Sequence, residues 1–121
     1  MLAAVALALP AAAMADDGTS VTHDPDTSLD RAPVTTAFPT YPSIARRDRL
    51  QGEATVCFTI NARGRVVRPA IRSSSHKIFE RPALRAIRNS SFEPLAKGED
   101  ASPVKTCRTY RFRLEPLTAQ S

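Results

Sequence analysis

At 121 residues, with 42 % hydrophobic and only 6 % aromatic residues and no Trp, the chain has material for one small domain and excludes a large buried core. The formal net charge of +5 hides an asymmetry: residues 16–40 hold five Asp against one Arg, whereas residues 41–121 hold sixteen Lys and Arg against seven Asp and Glu, a net of +9. Two cysteines are too few for a zinc site, and His23 and His76 lack metal-ligand spacing, so neither a metal nor another cofactor is implied.

Residues 1–15, MLAAVALALPAAAMA, are apolar but too short to span a bilayer. They end in Ala13-Met14-Ala15, the small-x-small pattern of a signal peptidase site, and so predict export to the periplasm with no membrane span after cleavage. No Lys or Arg follows Met1, which leaves a start further upstream, or a buried N-terminal helix, as alternatives. Residues 16–40 show neither a helical nor a strand period and read as a disordered polar lead-in. The folded domain is expected over 41–116, with a tail at 117–121.

Inside that domain Ala54, Val56, Phe58 and Ile60 alternate with Thr55, Cys57 and Thr59, the pattern of a half-buried strand. Asn61-Ala62-Arg63-Gly64 then reads as a hairpin turn closed by Gly, returning the chain antiparallel over 65–73. Pro69 cannot donate to a ladder, which puts this second strand at a sheet edge. Apolar spacings of three and four predict a helix over 79–89, with Pro82 in its first turn. A last strand, Thr106 to Leu114, alternates again.

The order ββαβ predicts an α+β fold: a three-stranded antiparallel sheet in the order 2-1-3 with one helix on one face. Cys57 and Cys107 then lie on neighbouring strands, on the face away from the helix, and in an oxidising compartment they are expected to pair; two free thiols are the alternative. If Cys57 faces Cys107, Thr55 faces Thr109 and Glu53 faces Arg111. The same register sets Arg108 opposite Val56 on the helix face, a place it can hold only by snorkelling at the sheet end.

Tyr41-Pro42 and Ala45, Gly52, the Val56/Phe58/Ile60 alternation, Gly64 and Val66, Ser73, Phe79 with Ala83 and Ala86, and Phe92-x-Pro94 together resemble the C-terminal domain of the TonB energy-transducer family over residues 41–114. That resemblance implies a non-enzymatic periplasmic module, linked to TonB-dependent transport, that binds extended segments of outer-membrane transport proteins by adding their strand to its sheet. With Pro69 spoiling one edge, the open edge is the third strand, and Thr106, Arg108, Tyr110, Arg111, Phe112 and Arg113 are its candidate partner-binding residues. The arginines favour an acidic or polar partner segment, or serve only to keep a free edge from aggregating.

Other readings are an envelope scaffold similar to the C-terminal domain of TolA, a homodimer through the free edge, and a basic polyanion binder. No exposed aromatics interleave with the arginines at 46, 47, 49, 63, 65, 68 and 72, and export argues against nucleic acid. Ser73-Ser74-Ser75-His76 places hydroxyls beside an imidazole without an orienting acid or oxyanion donors, so no catalytic residue is expected.

Overall fold

The computed structural model describes residues 13–14, 18–101 and 103–115; the expected signal peptide, apart from Ala13 and Met14, and the expected tail at 117–121 lie outside them. In chain order the elements are β1 (Ala13–Met14), β2 (Thr19–His23), β3 (Pro33–Thr35), α1 (Ser43–Arg47), β4 (Gly52–Ile60), β5 (Val66–Ser74), a 3-10 turn (Lys77–Phe79), α2 (Glu80–Arg88), β6 (Ser91–Phe92) and β7 (Thr106–Leu114).

Alternation carries through the whole of β4: Ala54, Val56, Phe58 and Ile60 are buried and the residues between them half-exposed. The turn into β5 depends on Gly64, which takes a φ of +84°. A Cβ there would also lie 1.9 Å from the Phe92 carbonyl oxygen, so both backbone conformation and space demand glycine. Asn61 closes the same turn by accepting the Arg63 and Arg65 amides on its side-chain oxygen. β5 is an edge strand, as Pro69 requires, and the register slips by one residue beside it, where Arg68 adopts a φ of 54°.

Ala83, Ala86 and Ile87 of α2 are buried, as is Phe79 in the preceding turn. Phe79 stacks on Phe112 at 4.3 Å, and Tyr41 meets both rings edge-on. Burying each such ring stabilises the fold by about 2–3 kcal/mol. Gly52 lets β4 start beneath this cluster, since a Cβ there would fall 2.8 Å from the Phe79 ring.

β7 pairs antiparallel with β4 in the expected register, Cys57 opposite Cys107, Thr55 opposite Thr109 and Glu53 opposite Arg111. The cysteines form a disulfide, the two threonine hydroxyls are 2.8 Å apart, and Arg111 Nη1 donates to Glu53 at 2.6 Å.

Two expectations are corrected. The sheet is not three-stranded: its order is β1-β2-β7-β4-β5, with four strands of five or more residues and the two-residue β1 at one end. The strands read from sequence lie side by side as β5-β4-β7, and β2 is added outside β7. Nor is the expected lead-in of 16–40 disordered over its described residues, 18–40, because β2 and β3 lie there, β3 paired with β6. Main-chain pairing and charge hold these strands, neither of which leaves a hydrophobic period.

Candidate docking edge and the segment that occupies it

The outer edge of β7 carries β2 along most of its length, from Thr19 opposite Leu114 to His23 opposite Tyr110. Main-chain bonds continue the ladder at both ends: Glu115 donates to Gly18 at 2.8 Å, Asp24 to Thr109 at 2.9 Å and Thr27 to Cys107 at 3.1 Å. The Cys107 amide in turn donates to the Thr27 hydroxyl at 2.9 Å. The expected open edge is therefore covered by the chain's own acidic segment.

Charge fixes where this segment lies. Arg108 Nε and Nη2 donate to the two carboxylate oxygens of Asp26 at 2.7 and 2.6 Å. Both side chains are buried, 1 % and 3 % exposed, and the guanidinium lies 5.7 Å from the centre of the Phe92 ring. Arg108 does stand opposite Val56 on the helix face, but it does not snorkel. The carboxylate that comes to it was hidden in the lead-in.

Two residues earlier, Asp24 receives Nε and Nη2 of Arg111, both at 2.9 Å, while Nη1 of the same arginine holds Glu53. These hydrogen bonds from Arg111 hold the Asp24 carboxyl below the usual carboxylate range, against the smaller opposing cost of burial. This second pair is half-exposed, so it steers more than it stabilises.

Beyond β2 the segment wraps the domain as a belt. Arg31, 8 % exposed, donates to the carbonyls of Ile60, Asn61 and Glu93 and so closes the end of β4. Tyr110 donates its hydroxyl to Ala37 at 3.1 Å, and burial pushes that phenol upward in pKa.

Of the predicted edge residues, Thr106, Arg108, Tyr110 and Phe112 are buried on the helix side, so they reach a partner strand only through main chain or, for Arg108, through a carboxylate delivered to it. Arg111 and Arg113 lie on the outer face. Tyr41, Gly52, Gly64 and Phe92 are packing and turn positions; Pro42 leads into α1, and Pro94 follows β6. The serines before α2 are engaged structurally: Ser74 donates to Glu80 at 2.5 Å, and Ser75 bonds the Glu53 amide. Three arginines, Arg63, Arg65 and Arg88, gather at an open cleft of about 600 Å³ with Ser91 and Phe92. Among the described residues no group of His, Cys, Asp and Glu is arranged to hold a metal ion, and no helix is long and apolar enough to cross a membrane.

The family model for the C-terminal domain of the Gram-negative bacterial TonB protein matches residues 37–114, which take in every strand from β4 onward and α2. The chain belongs to the TonB C-terminal family. Domains of this family are non-catalytic, envelope-associated interaction modules that engage outer-membrane proteins. Among solved structures, the solution NMR structure of the Pseudomonas aeruginosa TonB C-terminal domain matches with a TM-score of 0.54 at 23 % identity, over 78 % of this chain and 94 % of that one, a likeness of fold. No curated protein matches. The matched region begins at residue 37, so β2 and the two aspartates that follow it, Asp24 and Asp26, lie outside it.

Proposed function

We propose that this chain is a periplasmic TonB-like module that takes an extended segment of an envelope or outer-membrane transport protein as an added strand on the outer edge of β7. The observation that carries this reading is that β7 already holds such a segment: extended, antiparallel and acidic, bonded through main chain and through Arg108 and Arg111. An edge that pairs with an acidic strand from more than eighty residues away has the geometry that strand addition uses.

The test is an NMR titration of the oxidised chain with acidic, extended peptides from the periplasmic N-termini of outer-membrane transporters of the same cell. Capture at β7 moves the amides of 106–114 and those of 18–27 together, because the resident strand must leave. Shifts confined to other surfaces, or spread over all arginines and abolished by salt, would contradict it and point to polyanion binding.

A further inference from the structure

We propose that the β7 edge reads carboxylates, that its ligand class is an extended segment with an inward apolar residue followed three and five residues later by acids, and that residues 19–27 are a resident, exchangeable copy of that ligand. The inference rests on strand capture at β7 and names what is captured. Val21, Asp24 and Asp26 define the spacing: Val21 enters the core opposite Phe112, Asp24 meets Arg111, and Asp26 meets Arg108.

Arg108 makes the second acid obligatory. Its place on β7 faces the interior opposite Val56, and among the described residues its one ion pair is with Asp26. A guanidinium left there without a carboxylate is a buried unpaired charge, the costliest kind of broken pair. Any segment that takes the edge must therefore bring an acid to the place of Asp26.

Exchange is feasible because the resident strand has a light hold. Val21 is the only large apolar side chain that β2 buries, and Ser20 and Thr22 are half-exposed. The rest of the belt is anchored independently, by Arg31 on three carbonyls and by β3 on β6. Between the last ladder bond at Thr27 and the anchor at Arg31 the chain turns through Ser28 at a φ of 49°. Residues 18–27 can thus peel away while the remainder stays in place.

The test uses two oxidised full chains, the parent and one carrying Asp24→Asn with Asp26→Asn, and a peptide copy of residues 18–30, GTSVTHDPDTSLD. The expected result is that the peptide binds the variant at least tenfold more tightly than the parent and moves the amides of 107–115, and that a peptide with Asn at both acidic positions binds at least tenfold more weakly than the acidic copy. Equal binding to both chains, binding elsewhere, indifference to the carboxylates, or no binding would each overturn the proposal. Should the double variant not fold, Asp24→Asn alone, which leaves Arg111 paired with Glu53, is tested in the same way with about a threefold difference expected. A transporter-derived peptide run alongside separates the two readings: if the copy binds and that peptide does not, transporter capture fails while carboxylate reading stands.

Discussion

Two regions of this small protein are built by different physics. The β4-β5-α2-β7 unit is held by apolar packing around Phe58, Phe79 and Phe112 and by the Cys57–Cys107 disulfide. The belt of residues 18–40 is held by main-chain ladders and by arginines, with Val21, Leu29 and Phe38 as its apolar contacts to the core. Apolar packing is non-directional and cooperative, so the first region opens as a unit. Charge pairing is local and specific, so the second can open alone, as the proposed exchange for another acidic strand requires.

Four changes probe that contrast. Replacing Cys57 and Cys107 with Ser strikes the first region hardest: releasing a loop of fifty residues lowers stability by about 4 kcal/mol in the chain-entropy account, read as a drop in the urea midpoint. Asp26→Ala strikes the belt. It costs about 3 kcal/mol, the low end for breaking a buried pair because an opened belt lets water reach Arg108, and it loosens the β7 amides facing β2 before the rest of the sheet.

Gly64→Ala returns to the first region, with a cost of about 2 kcal/mol or more from the left-handed backbone and the clash with Phe92, seen as a lower melting temperature while the ion pairs of the belt persist. The smallest effect is expected from Asp24→Asn, about two- to fivefold faster amide exchange along β2. Its pH counterpart has a fixed sign. Asp24 has a lowered pKa, so its contribution is complete above the ordinary carboxylate pKa near 4 and is lost as pH falls through the lowered value, loosening β2 in acid while the disulfide-braced unit keeps its protection.

The first region was legible in the sequence because its determinants are periodic. Alternation places Val56, Phe58 and Ile60, the turn residues place Gly64, and Pro69 marks the edge. These put Cys57 and Cys107 on neighbouring strands and one face, and their pairing, once assumed, set Thr55 opposite Thr109, the register observed. The belt was not legible in the same way. β2 offers one inward aliphatic, Val21, among Thr, Ser and His, and a strand that borrows its ladder from β7 needs no hydrophobic period of its own.

Two signals pointed to it nonetheless. Five aspartates precede a domain of net charge +9, and Arg108 falls on the helix face with no acid near it in the predicted sheet. A buried guanidinium needs acceptors aimed at it, and the acidic segment was the place to seek a carboxylate for Arg108. The short helix α1 lacked any such signal, since five residues carry too little periodicity to read.

Amide hydrogen exchange on the oxidised full chain decides whether the belt opens apart from the packed unit, because the two edges of β7 can be read separately in one strand. The backbone bonds at Cys107, Thr109 and Glu115 put the odd-numbered amides toward β2, so by alternation the even-numbered ones face β4. The amides of Arg108, Tyr110 and Phe112, paired with β4, should exchange only through global opening. Those of Arg111 and Arg113, opposite Thr22 and Ser20, should be protected but exchange through a cheaper opening, one that becomes easier still with Asn at 24 and 26. Arg111 and Arg113 amides exchanging at the rate of a free strand, or opening only together with the even-numbered ones, would contradict this account of the belt.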